Sequence, residues 1–262
     1  MTRIILFLVL FIAAINRAQA AECPNPEHAL QSVASIVIET LDETGNIGEG
    51  QQRRIEDSQK LATSWFLTQR QMLTIDHVSW GMKLSPYFSS DLVIFQRSLT
   101  SKEDVAAMWN EARITKSNRR SPEAVHLVTL KQPVTKANPV KGIRTTPLRD
   151  DEPVFAVVYP RSKLHIAHGR FVAHGAFGKQ YRERGFALFE LSDGENRAIV
   201  NHGASGAPVF DCDGLVVGTI AVKLVHTHLS DGTALKHPLI AAKGLPNAAA
   251  VPAQAVLDLL RQ

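Results

Sequence analysis

The sequence predicts an all-β protein, a sandwich or a barrel, with a helix near its C-terminal end. Three observations carry this prediction. Apolar runs are typically four to six residues long, and many of them alternate with polar residues. Turn residues (Gly, Pro, Asp and Asn) separate these runs. Helical periodicity is scarce, and many short strands at such spacing are typical of sandwiches and barrels.

The clearest apolar runs are taken as strands in chain order. They lie at residues 35–39, 65–67, 92–95, 154–158 and 215–222. Helical periodicity favours helices at residues 102–111 and 253–261. The second has an apolar stripe that follows Pro252 and consists of Ala255, Val256, Leu259 and Leu260. Residues 139–151 lack periodicity and are expected to link two domains, residues 21–140 and 141–262.

The first twenty residues predict a secretory signal peptide. Arg3 precedes an apolar run of twelve residues, 4–15, and small residues end the segment at Ala18 and Ala20. Twelve apolar residues are too few to span a bilayer comfortably, and this order of charged, apolar and small residues is typical of a cleaved signal. We expect cleavage after Ala20 and a secreted or periplasmic protein with no further integral membrane segment. The alternative is an uncleaved anchor.

The charge balance of the remaining chain excludes some partner classes. Without Arg3 and Arg17, 27 basic residues face 25 acidic ones, so the net charge is near +2. So weak a field does not indicate a nucleic acid or a membrane surface as a partner. The oligomeric state does not follow from the sequence.

The two cysteines, Cys23 and Cys212, permit a single internal pairing after export to an oxidising compartment. That bridge would tie the start of the mature chain to a turn after Ser205, and the alternative is two unpaired thiols. A zinc site of the common kind needs four cysteines or a CxxC pair. Five further histidines have spacings that fit no common metal site, so neither a metal nor another cofactor is expected; they are His165, His168, His174, His226 and His228.

Three stretches together indicate nucleophilic catalysis. Residues 62–80 contain His77, residues 123–134 contain His126, and residues 201–220 contain Ser205 among small residues. A serine hydroxyl is a weak nucleophile and needs an adjacent base, for which a histidine has a suitable pKa. The backbone N–H groups of Gly203 and Ser205 are candidates for binding the negative oxygen that forms on the substrate.

These stretches resemble the trypsin-like (chymotrypsin-fold) serine proteases, and among them the secreted bacterial forms of the high-temperature-requirement and glutamyl endopeptidase types. Residues 62–67 correspond to the small-residue strand before the family's histidine. Residues 73–78, Leu-Thr-Ile-Asp-His-Val, resemble its Leu-Thr-Ala-Ala-His-Val. Residues 203–209 resemble its Gly-Asp/Asn-Ser-Gly-Gly-Pro stretch, residues 210–218 its next strand-turn-strand, and residues 247–260 its closing strand and helix. The resemblance implies two six-stranded antiparallel β-barrels with the site between them.

The resemblance implies that His77 is the general base and Ser205 the nucleophile. The family's third residue is an Asp that orients the histidine, and the strand that carries it aligns here so that His126 takes its position. A neutral histidine accepts a hydrogen bond from the base but brings no negative charge. The alternatives are Glu123, Asp91 or no third residue at all. Asp76 also departs from the family, which usually has Ala beside the base.

The resemblance also indicates the walls of the specificity pocket. Ile199 lies six residues before the serine and is not acidic, which disfavours substrates with Lys or Arg at the cleavage point. His202 lies near the rim, and Ala221 and Lys223 lie on the later strand, where open pockets often have Gly at the position of Lys223. We expect small apolar or acidic residues at the cleavage point.

The sequence therefore predicts an exported serine endopeptidase that acts on protein or peptide substrates. Ala204 replaces the acidic or amide residue that precedes the serine, which argues against activation by a freed N-terminus. The alternatives are a non-catalytic protease-fold module that binds a peptide or a partner protein, and a secreted esterase. The long polar segment 41–60 is a candidate for covering the cleft.

Overall fold

A computed structural model of the chain describes residues 23, 27–42, 60–75, 78, 88–95, 112–114, 125–130, 133, 137–160, 164–175, 185–195, 197–226, 228, 232, 234 and 244–261. The predicted signal peptide, the predicted helix at residues 102–111, and Asp76, His77 and Glu123 lie outside the described residues.

Two antiparallel groups of six strands follow each other along the chain. The first consists of a short helix and six strands: α1 (Glu27–Ser32), β1 (Val33–Asp42), β2 (Lys60–Thr68), β3 (Gln71–Ile75), β4 (Phe88–Phe95), β5 (Ala112–Ile114) and β6 (Val125–Leu130). The second consists of six strands and the C-terminal helix: β7 (Pro153–Val158), β8 (His165–Gly175), β9 (Phe186–Ser192), β10 (Pro208–Asp211), β11 (Val216–Lys223), β12 (Ala248–Pro252) and α2 (Ala253–Leu260).

The two groups differ in closure. Strands β7 to β12 form a closed barrel in the order β10-β11-β12-β9-β8-β7, whereas β1 to β6 form a sheet in the order β4-β1-β2-β3-β6-β5. The prediction of a mostly β protein with a C-terminal helix is confirmed, and so is the six-stranded barrel of the second half. In the first half the described residues form a six-stranded sheet, and its closure into a barrel stays a prediction. The domain boundary at residue 140 also stays a prediction.

The barrel is buried on both faces where it meets the first sheet. Along β7, Val154, Ala156 and Val158 belong to the core inside the barrel. The residues between them, Phe155 and Val157, belong to a second core that also contains residues of β2 and β3. Because side chains alternate across a strand, one run of apolar residues fills the barrel and binds the sheet beside it.

The segment predicted as a linker is hydrogen-bonded to both halves. The Val140 N–H donates to the Phe66 carbonyl of β2 at 2.8 Å, and the Arg144 N–H donates to the Val216 carbonyl of β11 at 2.9 Å. The Arg144 guanidinium also pairs with Glu152 and Asp211. Burial alone would raise the pKa of Glu152, but hydrogen bonds from Arg144 and Arg149 outweigh it and hold that pKa below its ordinary value.

The predicted disulfide between Cys23 and Cys212 is present, with 4.7 Å between the two Cα atoms. It joins the segment before α1 to the turn between β10 and β11. The two residues are 189 positions apart. A bridge that closes a loop of this length contributes about 5 kcal/mol to stability in the chain-entropy model.

The C-terminal helix forms where the sequence predicts it, but its buried face differs from the predicted apolar stripe at two residues. Ala253 and Val256 are buried, whereas Leu260, which the predicted stripe includes, is 40% exposed. Among the described residues, no helix combines the length and apolar character needed to cross a membrane.

Candidate active site

Ser205 lies in a tight turn between the end of the long loop after β9 and the start of β10. The Ala204 N–H donates to the Asn201 carbonyl at 2.9 Å, and the Ala207 N–H donates to the Ala204 carbonyl at 3.0 Å. Gly203 has a φ of 98°, which lies in the left-handed region that favours glycine. Ala204 is fully buried, while Ser205 is half-buried. The turn is therefore fixed by its own backbone, with its serine at the edge of solvent.

The turn docks on strand β2 of the first sheet through Thr63. The Thr63 N–H donates to the Ser205 carbonyl at 2.9 Å. The Thr63 hydroxyl donates to the Gly203 carbonyl at 2.6 Å and accepts a hydrogen bond from the Tyr159 N–H at 3.1 Å. Thr63 is fully buried, so one residue of the first half holds two carbonyls of the serine turn.

Gly206 lets the turn approach the first sheet closely. Its φ is 88°, and a Cβ placed there would lie 2.1 Å from the Thr63 carbonyl oxygen and 2.5 Å from the Thr74 hydroxyl. Thr74 lies on β3, and its hydroxyl donates to the Thr63 carbonyl at 3.1 Å. The serine turn therefore contacts the strand that leads to His77, three residues after Thr74.

The hydrogen bonds of the turn determine where its free N–H groups point. In a planar trans peptide the N–H points away from the C=O. The Ala204 carbonyl accepts from Ala207, so the Ser205 N–H points to the opposite side. Within the described part of the chain, neither this N–H nor that of Gly203 donates a hydrogen bond. These two groups are the predicted donors to a substrate oxygen.

Strand pairing puts His126 near the same turn. On β6, His126 lies directly opposite Thr74 of β3 in the antiparallel register. Directly opposed residues share a face of a sheet. His126 is therefore on the face from which Thr74 reaches Thr63 and Gly206. His126 is half-buried.

The first alternative to His126 lies further from this face. Asp91 is on β4, opposite Glu39 of β1, and two strands, β1 and β2, separate β4 from β3. The second alternative, Glu123, lies outside the described residues, as does His77.

The predicted pocket residues lie in two segments that one contact joins. Ile199 and Ala221 are buried, and His202 is exposed. The Lys223 ammonium donates to the Asn201 side-chain oxygen at 2.8 Å, which connects the end of β11 to the loop before Ser205. Because the amide oxygen is neutral, this contact does not itself neutralise the positive charge of Lys223.

The structure adds residues that the sequence reasoning missed. Thr63, Thr74, Tyr159 and Asn201 contact the serine turn or the pocket segments directly. A polar residue inside an otherwise buried strand was the available signal for Thr63 and Thr74, since such side chains need a partner. Within the described ranges, no group of three or more His, Cys, Asp or Glu side chains is placed to hold a metal ion.

Comparison with known proteins relates the chain to others only through its fold. No protein-family model matches it, and no curated protein matches it in sequence. Among solved structures it is similar to the active form of the Rv3671c protease from M. tuberculosis, with a TM-score of 0.55 and 15% identity over 91% of this chain and 83% of that one. The inactive form of that protease gives a TM-score of 0.55 at 13% identity over 91% and 92% of the two chains.

A second similar protein is a variant of the HtrA-type protease AlgW, whose structure contains a tripeptide. Its TM-score is 0.57 at 13% identity, over 93% of this chain and 63% of that one. At such identities a likeness concerns the fold alone. These comparisons show that the chain shares the fold of these proteases, and its strand topology is consistent with a chymotrypsin-like fold.

Proposed function

We propose that this chain is an exported serine endopeptidase in which Ser205 is the nucleophile, His77 the general base and His126 the residue that orients His77. The observation that carries the proposal is the docking of the Ser205 turn on Thr63 and Thr74. That contact brings the half-buried Ser205 to strand β3, and His77 follows that strand in the sequence. The proteases with a similar fold, one of them solved with a tripeptide, support peptides as the substrate class.

The proposed reaction is acyl transfer. The Ser205 oxygen attacks the peptide carbonyl carbon while His77 takes the hydroxyl proton, and the carbonyl oxygen becomes negative. The N–H groups of Gly203 and Ser205 stabilise that oxygen. His77 then gives the proton to the leaving amine, and water releases the acyl group by the same steps. His126 holds the imidazole in position but adds no negative charge.

A fluorophosphonate probe tests this proposal because it reacts with activated serines. We expect the purified wild-type protein to be labelled at Ser205, as located by peptide mass spectrometry, and to cleave an unfolded protein substrate. Substitution His126→Ala is expected to slow labelling by about a hundredfold, because general base catalysis depends on an oriented imidazole.

The possible outcomes of this experiment distinguish between the candidate orienting residues and between the candidate functions. Unchanged labelling of His126→Ala would direct attention to Glu123 or Asp91 as the orienting residue. Absence of wild-type labelling at every pH tested would contradict the proposed enzymatic activity and favour a non-catalytic binding module. Turnover of small esters without any protein cleavage would favour the esterase.

The charge of Lys223 predicts the cleavage preference. A substrate ammonium placed near Lys223 is repelled, whereas a carboxylate forms a charge-assisted hydrogen bond. We expect matched peptide substrates with Glu at the cleavage point to be hydrolysed with about tenfold higher kcat/KM than those with Lys. Substitution Lys223→Met, which keeps the length but not the charge, is expected to remove this difference. Equal rates for the Glu and Lys substrates of the wild-type protein would contradict the assignment.

A further inference from the structure

We infer that the Thr63 hydroxyl is a positioning group for the anion-binding turn, an inference that rests on the proposed function. Thr63 lies on β2, in the half of the molecule opposite to Ser205, and is 140 residues from Gly203 in the chain. It does not touch the substrate in this assignment. It acts through the carbonyl of the glycine whose N–H is one of the two proposed donors.

The hydroxyl fixes one particular peptide group. Its hydrogen points to the Gly203 carbonyl at 2.6 Å, while the Ala204 N–H of the same peptide donates to Asn201. The peptide plane between residues 203 and 204 is therefore held by hydrogen bonds at both its C=O and its N–H. The Gly203 N–H belongs to the preceding peptide, which the wide choice of φ and ψ at glycine would allow to turn. Anchoring the 203–204 peptide limits this freedom and so helps to keep the Gly203 N–H in one direction.

The orientation of the hydroxyl is itself determined by a third segment. The Tyr159 N–H, just after β7, donates to the Thr63 oxygen at 3.1 Å. A hydroxyl has one hydrogen, and accepting from Tyr159 leaves that hydrogen for Gly203. The three groups are buried, so water does not replace a missing partner easily. The hydrogen bonds of the Thr63 hydroxyl thus connect β2, the end of β7 and the serine turn.

The backbone contact of Thr63 is a separate function of the same residue. Its N–H holds the Ser205 carbonyl, and any residue other than proline retains that bond. The side chain alone controls the Gly203 carbonyl. Substitutions at position 63 therefore distinguish the hydroxyl from the backbone without moving the strand.

The test compares Thr63→Val, which keeps the shape and removes the hydroxyl, with Thr63→Ser, which keeps the hydroxyl and removes a methyl group. Hydrolysis of a peptide ester is measured per active site, with sites counted by fluorophosphonate titration, and thermal unfolding is measured alongside. We expect kcat of Thr63→Val to fall about tenfold with KM within about twofold, because misplaced donors weaken binding of the transition state only. Thr63→Ser is expected to keep kcat within about threefold of wild type.

A matched control is Thr219→Val. Thr219 is equally buried, but its hydroxyl has no hydrogen-bond partner among the described residues, so kcat is expected to stay at the wild-type value. If the valine variant of Thr63 does not fold, Thr63→Ser and Thr63→Ala give the same contrast, since both lose the methyl group and only one loses the hydroxyl.

The outcomes separate this inference from the function on which it rests. A wild-type protein that is labelled and active, with Thr63→Val at the same kcat per site, overturns the positioning role alone. If Thr63→Ser and Thr63→Val lose kcat equally, and the losses follow their melting temperatures, the positioning role is also overturned. A purely structural role predicts that pattern. An unlabelled, inactive wild type overturns both the proposed function and this inference.

Discussion

Replacing Ser205 with alanine is expected to lower kcat/KM for a peptide substrate by about 10⁴-fold or more and to abolish fluorophosphonate labelling. The hydroxyl is the nucleophile that attacks the substrate in the proposed reaction, and a methyl group cannot replace it. The Ser205 backbone, whose carbonyl binds Thr63, is unaffected by the substitution. Stability is therefore expected to change by less than about 0.5 kcal/mol, as measured by thermal unfolding.

A matched control for this variant is Ser192→Ala at the end of β9, where a half-buried serine lies outside the turn. It is expected to retain both labelling and hydrolysis. If Ser205→Ala keeps its hydrolytic activity while remaining folded, another group is the nucleophile. If it loses stability instead, the turn depends on the hydroxyl in a way that the described contacts do not include.

Replacing Gly206 with alanine is expected to destabilise the protein by about 3 kcal/mol or more. Two costs combine at this position. The φ of 88° is unfavourable for any residue with a Cβ, and that atom would lie 2.1 Å from the Thr63 carbonyl oxygen. Since a backbone atom cannot move as a flexible side chain does, the serine turn has to separate from β2. Denaturant unfolding measures the loss, and the labelling rate of Ser205 is expected to fall with it.

The control substitution Gly214→Ala separates the cost of a positive φ from the cost of the close contact. Gly214 has a φ of 79°, but no atom lies within 4 Å of a Cβ placed there. Its substitution is expected to cost about 1–2 kcal/mol, the conformational penalty alone, and to leave labelling unchanged. Equal destabilisation by the two substitutions would contradict the close contact between Gly206 and Thr63.

The fold was largely predictable because the apolar runs of most strands are short and bounded by turn residues. The runs at 154–158 and 215–222 lie within, or one residue from, the observed β7 and β11. Strand β8 was missed for a physical reason. Only Ala167 and Phe171 of its eleven residues are buried, so its apolar alternation is too weak to distinguish it from a polar loop with scattered histidines.

The parts of the site that depend on neighbouring residues in the sequence were predictable. The parts that depend on contacts between distant segments were not. The small residues around Ser205 indicate a tight turn from the sequence alone. The contact from Thr63 to Gly203 forms only when the two halves meet, and no local pattern encodes a hydrogen bond between such distant residues. The place of His126 opposite Thr74 likewise depends on the register of β3 with β6.

The disulfide has a consequence for how the protein is made. When Cys23 has been synthesised, the ribosome must add 189 further residues before its partner exists. At the usual elongation rates this takes about 10–40 s. During that interval the segment before α1 lacks its disulfide to the barrel. Because the chain has only two cysteines, a thiol at position 23 has no wrong partner within its own molecule. Mispairing during synthesis therefore requires a thiol from another molecule.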